Sequence, residues 1–261
     1  MILIGEKLNS SIPKTLEAFQ ARDEAAVTRL IARQAQAGAH YLDINTALCG
    51  EAELDTLLWV MKLVLSDSAC GLMLDSPNPQ VLAAALGEAG DRPVILNSVT
   101  LSQRLEELAP LAAETGAGVV ALPILGGTPE TAQERVDLAA RLLDALHGFG
   151  VQDSQIYLDI LVESLGLAPE HAPVTLETLT LCKAAFPRVK TICGLSNISF
   201  GLPRRQLINT AFLASAITRG LDSAILDVTT EAIRDTCMAA SAISGEDEYA
   251  MDYIRYIRRK G

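Results

Sequence analysis

The stretch GLMLDSPNPQVLAAALGEAG, residues 71–90, decides the fold. It opens with an apolar run, Leu72-Met73-Leu74, that ends on Asp75 with no polar residue interleaved. Such a run predicts a strand covered on both faces, and strands covered on both faces belong to parallel sheets. Ser76-Pro77-Asn78-Pro79 then offers capping oxygens and a first-turn proline, the start signal of a helix. The helix is predicted over 78–89, and Gly90 closes it, because a helix C-terminus favours a residue free to turn left-handed.

Outward from this unit, the same alternation fills the chain. Runs rich in Ile, Val and Leu predict strands at 2–8, 41–46, 71–75, 94–99, 118–124, 156–162, 191–196 and 223–228. Amphipathic stretches predict helices at 23–37, 51–66, 78–89, 103–115, 130–148, 173–186, 205–219 and 230–243, with a last one at 247–259. Asp23 and Thr128-Pro129-Glu130 are further start signals, and Gly38, Gly116 and Gly220 further stops. Eight strand-helix units in 261 residues are what a (β/α)8 TIM barrel requires. An open doubly wound sheet uses the same alternation. Its usual signatures are missing, since no Gly-x-Gly-x-x-Gly follows the first strand and no Gly-x-x-x-x-Gly-Lys-Ser/Thr loop occurs. No linker or composition break divides residues 1–261, so one barrel domain is expected.

Composition narrows the function classes. A hydrophobic content of 49% excludes a disordered chain. The net charge of −11 argues against a nucleic-acid partner, which calls for a basic stripe. The one basic cluster, Arg255, Arg258, Arg259 and Lys260, reads as a solubilising end. No apolar run approaches the ~20 residues of a membrane span, and the best, Leu57 to Leu65, is broken by Lys62. The first residues lack the pattern of a secretory leader. Five cysteines (49, 70, 182, 193 and 237) form no Cys-x-x-Cys pair. A reduced, cytoplasmic protein that neither binds nor crosses a membrane is the expectation.

The informative pattern is how the strands end. Strand one ends in Glu6-Lys7-Leu8-Asn9, strand two in Asp43-Ile44-Asn45, strand three in Asp75-Ser76 and strand four in Asn97-Ser98. Strand six carries Asp159, and strand seven runs into Gly194-Leu195-Ser196-Asn197. In a barrel these C-terminal ends meet at one mouth, where active sites lie. A neutral polar group left unpaired inside an apolar strand costs roughly 2–7 kcal/mol, so six such ends point to a shared ligand. Asp43, Asn45, Glu6 and Asn9 also fit structural roles, as loop caps or rim ties. Asp75, Asn97 and Asp159 suit a flat heterocycle with donors and acceptors, such as a pterin, because a carboxylate accepts from ring N–H groups and an amide both gives and takes. Carboxylates and amide oxygens also suit a hard cation. A transition-metal or Ser-His-Asp site is poorly supported. His40, His147 and His171 lack a His-x-x-x-His spacing, and no Gly-x-Ser-x-Gly occurs. Cys49 and Cys193 read as rim or core residues.

These segments resemble the methyltetrahydrofolate–corrinoid protein methyltransferases, a pterin-binding barrel family. The resemblance rests on Ile4-Gly5-Glu6-Lys7-Leu8-Asn9, Leu42-Asp43-Ile44-Asn45, Leu74-Asp75-Ser76, Asn97-Ser98 and Tyr157-Leu158-Asp159. Its most specific piece is Gly194-Leu195-Ser196-Asn197-Ile198-Ser199, with Arg205 and Leu207-Ile208-Asn209 following. It implies methyl transfer between N5 of tetrahydrofolate and the cobalt of a corrinoid (cobalamin) carried by a separate protein. Asp75, Asn97 and Asp159 would hold the pterin, and Asn197 would sit beside N5 with Gly194 and Ser196 shaping the same wall. Asn197 and Asp159 would serve catalysis, and Arg205 the outer, anionic part of the folate. The resemblance also implies a homodimer and no protein-bound metal.

Two departures stand out. Phe200 replaces a glutamine common in members that serve a corrinoid iron–sulfur protein, and Ile160 follows Asp159 where proline is frequent. Ser199-Phe200-Gly201-Leu202-Pro203 looks more like the methionine synthase module and the demethylase branch. That favours transfer from methylcorrinoid to tetrahydrofolate over transfer from methyltetrahydrofolate to a corrinoid iron–sulfur protein in carbon fixation. Dihydropteroate synthase would need compact positive charge near strand seven for a diphosphate, where this chain has Ser196-Asn197-Ile198. A non-catalytic folate-binding subunit would be marked by loss of the Asn197 equivalent, which is present.

Overall fold

In the computed structural model, which describes residues 1–259, eight parallel strands pair in chain order and the eighth closes back on the first. They are β1 (Ile2–Asn9), β2 (Tyr41–Asn45), β3 (Gly71–Asp75), β4 (Val94–Val99), β5 (Gly118–Ala121), β6 (Ile156–Asp159), β7 (Lys190–Gly194) and β8 (Ser223–Leu226). Around them lie α1 (Pro13–Gln20), α2 (Glu24–Gln36), α3 (Glu53–Asp67), α4 (Pro79–Gly87), α5 (Leu105–Thr115), α6 (Ala132–Gly148), α7 (His171–Ala185), α8 (Arg205–Ile217), α9 (Glu231–Ser244) and α10 (Met251–Arg258). This is a (β/α)8 barrel.

Strand side chains alternate between two cores, which is why the runs read as continuously apolar. Inside the barrel, Ile4, Met73, Ile95, Val120, Tyr157 and Ile192 pack against one another. Outside it, Leu42, Leu72, Leu74, Leu96 and Leu158 belong to the core that also takes Val60, Leu82, Leu108 and Leu142 from the helices. Two residues beyond Ile4, Met73, Ile95, Tyr157 and Ile192 come Glu6, Asp75, Asn97, Asp159 and Gly194. The polar strand ends therefore form the next layer up, at the C-terminal mouth.

The sequence misses α1, which Pro13 opens from the first helical position. Five strands end earlier than expected, β2 by one residue, β7 and β8 by two, and β5 and β6 by three. After Ala121 the chain meets Pro123, which has no N–H for a ladder; Leu161 turns left-handed with φ 57°; and Leu195–Ser199 wind into a 3-10 turn. Helix α6 starts from Thr131, not from Thr128-Pro129-Glu130, because Thr131 and Glu134 cap each other's backbone N–H reciprocally. The final helix begins at Met251, since the Asp247 carboxylate accepts from the amides of Asp252 and Tyr253, 2.9 Å each. Of the C-terminal basic cluster, Lys260 lies outside the described residues. Among the described residues, no helix is long and apolar enough to cross a membrane.

Candidate active site at the barrel mouth

The floor of the mouth is made by neighbouring strand ends held in register. Asn45 pairs with Asp75, and Asp75 with Asn97. Asn45 Nδ2 donates to Asp75 Oδ2 at 2.8 Å, while Asn45 Oδ1 accepts from Ser10 Oγ and the Ala47 amide, 3.1 Å each. Asn45 is thus a buttress for Asp75, and the loop-tying role expected of it is met at the same time. Asn97 lies beside Met73, its Nδ2 3.8 Å from the sulfur. Across the mouth, Asp159 Oδ1 accepts from the Leu161 amide at 2.7 Å.

Asp43 sits one layer deeper, opposite Met73. It is buried, and its Oδ1 has no partner. Burial pushes its carboxyl well above the ordinary range, and the nearby charges of Asp75 and Glu6 add to the rise against a bond from Asn9. Asn9 also closes its own turn, accepting from the Ser11 amide at 2.9 Å. Burial likewise raises Glu6, opposed by Lys7 and by the Ser196 hydroxyl. It raises Asp75, opposed by the Asn45 bond and the charge of Arg104. Asp159 is pushed up to about 6 by burial, against the Leu161 amide and Arg135.

The wall on the β7 side depends on a missing side chain. A Cβ at Gly194 would stand 3.1 Å from Asn197 Nδ2, so glycine leaves Asn197 its place on the 3-10 turn. Asn197 is exposed to the mouth. Ser196 Oγ donates to the two Glu6 oxygens at 2.9 and 3.1 Å, joining β7 to β1 across the closure of the barrel. Arg205 steadies this turn, with Nη2 2.5 Å from the Ser196 carbonyl and Nε 3.0 Å from Ser199 Oγ. The polar residues expected at the mouth therefore come together there. Strand β5 is the exception, since its end, Ala121-Leu122-Pro123, brings only apolar side chains between Asn97 and Asp159.

Three residues escaped the sequence reading. Asp227, just past β8, repeats the polar strand end and could have been found by it. It pairs with Lys7 at 2.9 Å; burial works against its charge, but Thr229 and Lys7 outweigh it and hold the carboxyl low. Arg104 adopts a left-handed φ of 62° and donates to the Ser76 carbonyl at 2.9 Å and Ser98 Oγ at 3.4 Å, behind Asp75. Arg135 is buried inside α6. No sequence signal distinguishes either arginine from a solvated one. The departure at Ile160 has a local explanation, because its N–H donates to the Ile192 carbonyl at 3.0 Å, a bond proline could not make.

Elsewhere, burial raises the Cys193 thiol, aided by Asp159, so it is not a thiolate. His147 bonds Asp153 and His171 the Ser164 carbonyl, 2.8 Å each, while His40 Nδ1 accepts from the Leu3 amide at 3.0 Å. Among the described residues, no group of three or more His, Cys, Asp or Glu is arranged to hold a metal ion.

A half-buried ring of carboxyl and amide groups, with an exposed amide at its wall, is suited to a flat, nitrogen-rich heterocycle. Comparison with known proteins agrees with that geometry. The pterin binding enzyme family matches residues 5–227. A methylcorrinoid:tetrahydrofolate methyltransferase of Eubacterium limosum is 31% identical over 264 residues, 99% of this chain and 97% of that protein. The methionine synthase of Mycobacterium tuberculosis is 35% identical over 241 residues, 87% of this chain but only 20% of that much longer protein. Among solved structures, a dihydropteroate synthase of Coxiella burnetii in complex with pteroic acid superposes with a TM-score of 0.71 at 16% identity, covering 94% of each chain. That of Xanthomonas albilineans with 7,8-dihydropteroate gives 0.66 at 22%, covering 93% of this chain and 92% of that one. At these identities the two structures share the fold.

Proposed function

The chain belongs to the pterin-binding enzymes, among the corrinoid–folate methyltransferases, and from that premise we propose that it transfers a methyl group from the cobalt of a partner protein's corrinoid to N5 of tetrahydrofolate. The observation that carries the proposal is the joint placement of Asp75, Asn97 and Asp159 around one mouth with Asn197 on the turn above Gly194. The three floor residues hold the pterin, with Asp75 and Asp159 accepting from its ring N–H and amine and Asn97 serving donor and acceptor alike. Asp75 keeps one oxygen for the ligand because Asn45 takes the other, and Asp159 does the same because the Leu161 amide takes its Oδ1.

N5 must lose a proton as it gains a methyl group. The Asn197 amide meets either state of N5, since it can accept from an N–H or donate to a lone pair, and support that strengthens at the transition state accelerates the step. Asp43 is the carboxyl suited to exchange that proton through water, being deep, raised by its neighbours and unpartnered at Oδ1. Displacement at the methyl carbon needs the cobalt in line with N5, so the mouth must admit the corrinoid protein from above. Arg205, outside the ring, suits the anionic end of the folate.

The direction rests on Phe200 and its neighbours and on the name of the relative matched end to end. Dihydropteroate synthase is disfavoured, because Arg205 already bonds Ser196 and Ser199 and the turn offers no cation cluster for a diphosphate. The same reading carries a cytoplasmic homodimer, for which exposed Leu207 on α8 and Ile243 on α9 would supply apolar contact; sedimentation velocity tests it. The test of function is anaerobic cobalt spectroscopy, first with methylcobalamin and tetrahydrofolate, then with Co(I) cobalamin and methyltetrahydrofolate. A faster cobalt change in the first mixture supports the direction. A lack of folate binding overturns the assignment.

A further inference from the structure

Arg135, on α6, is the charged side chain most completely withdrawn from water among the described residues, at 1% exposure. A buried guanidinium is strongly unfavourable unless its nitrogens are bonded and its charge is met. Here all three nitrogens are used. Nε donates to the Pro129 carbonyl at 3.0 Å, Nη1 to the Leu161 carbonyl at 2.7 Å and Thr175 Oγ1 at 3.3 Å, and Nη2 to Glu163 Oε2 at 2.6 Å. Thr175 Oγ1 donates to the same Leu161 carbonyl at 3.1 Å. That carbonyl belongs to the left-handed residue whose N–H holds Asp159 Oδ1. A non-glycine residue keeps such a backbone only where its surroundings over-determine it.

We propose that Arg135 is a positioning residue for Asp159, fixing from inside α6 the turn that aims the carboxylate into the mouth and presenting the positive charge that faces it. The inference rests on the reading of Asp159 as a pterin ligand. The groups acting on Asp159 come from three elements: Arg135 on α6, the Leu161 amide on its own loop, and the Cys193 thiol on β7, which stays neutral. Glu163 lies on the far side of Arg135 and partly offsets its charge. Across the mouth, Asp43 is raised by burial and further by the charges of Asp75 and Glu6.

The test is tetrahydrofolate binding by anaerobic calorimetry from pH 5 to 9 in wild type, Arg135→Met, Glu163→Gln and Asp159→Asn. Binding that needs an ionised Asp159 strengthens as pH rises through its pKa. In Arg135→Met the carboxylate loses its facing cation, so this limb moves to higher pH, and affinity lost at pH 7 is regained in part at pH 9, the remainder being the loss from the loosened turn. In Glu163→Gln the cation is less offset, so the limb moves down. Opposite displacements in the two variants support the proposal. A loss in Arg135→Met that is equal at every pH, or unmoved limbs in both, overturns it. If Arg135→Met does not fold, Glu163→Gln alone decides, and an unmoved limb overturns the proposal. Asp159→Asn separates the two layers of argument, because wild-type affinity in that variant overturns the ligand reading itself.

Discussion

Asn45 and Asp75 stand opposite each other on β2 and β3, and the amide donates to Asp75 Oδ2 at 2.8 Å. One oxygen of the carboxylate is therefore committed to the protein and its direction is set before any ligand arrives. Such preorganisation spares the ligand the entropy of ordering the group.

Replacing Asn45 with alanine should weaken folate binding by about tenfold, since a hydrogen bond to a charged group contributes roughly 1.5–3 kcal/mol. Loss of the donor also lets the Asp75 pKa rise further, so the deficit should be larger at pH 6 than at pH 8. Calorimetry at the two pH values checks both statements.

An ionised Asp159 opposes stability. Its pKa is about 6, above the ordinary 3.8, so the folded state holds this proton more tightly than the unfolded chain does. Its contribution to stability is full below about pH 4 and is lost as pH rises through about 6. Asp159→Asn keeps the acceptor for the Leu161 amide and removes the charge. Above pH 6 the ligand-free variant should be more stable, by up to about 3 kcal/mol at roughly 1.4 kcal/mol per pKa unit, while its folate affinity falls. Denaturant melts at pH 4.5 and 7.5 should show a gain at both, smaller at the lower pH and full at the higher.

Asn197→Ala should separate chemistry from folding. The side chain faces the mouth from a short turn, so its removal should leave the melting temperature within a degree or two. Turnover should drop by on the order of a hundredfold, the scale of losing one hydrogen-bonding group aimed at a developing charge. Unchanged turnover in single-turnover methyl transfer would remove the role assigned to it.

Gly5→Ala reaches the site through packing. A Cβ there would sit 2.4 Å from Gln34 Oε1, which accepts the Lys7 amide at 3.0 Å where β1 slips its register between Gly5 and Leu8. The variant should lose about 1–3 kcal/mol, the usual range for overpacking. Because Glu6 lies in the same irregular segment, the methyl-transfer rate should fall with it. A thermal melt paired with an activity assay tests the coupling.

How much of this could be read from residues alone depends on where the information is local. The apolar run at Leu72-Met73-Leu74 and the cap at Asn78 declare a strand and a helix start within a few positions, so β3 and the start of α4 fall where expected, while α4 ends at Gly87 with Glu88, not Gly90, at its C-cap. Asp75, Asn97 and Asp159 announce themselves because a polar group inside an apolar strand has few alternatives. Helix α1 was missed because its face is short and Pro13 follows directly on the β1 turn. Arg104 and Arg135 were missed because an arginine on a helix or loop is usually solvated. Their partners lie 28 and 26 residues away, at the Ser76 and Leu161 carbonyls, and only the closed barrel brings them together.

The apolar end of β5 gives the mouth a rotational sense. Polar side chains arrive from β1, β2, β3, β4 and β6, from the turn after β7 and from Asp227 past β8, but the sector between Asn97 and Asp159 brings only apolar side chains. A flat ring seated there must turn a carbon edge toward Leu122 and its nitrogens toward the other strands. If the mouth holds a pterin as proposed, the barrel, nearly symmetric in its backbone, is a keyed socket whose one apolar sector sets which ring atom looks out of the opening.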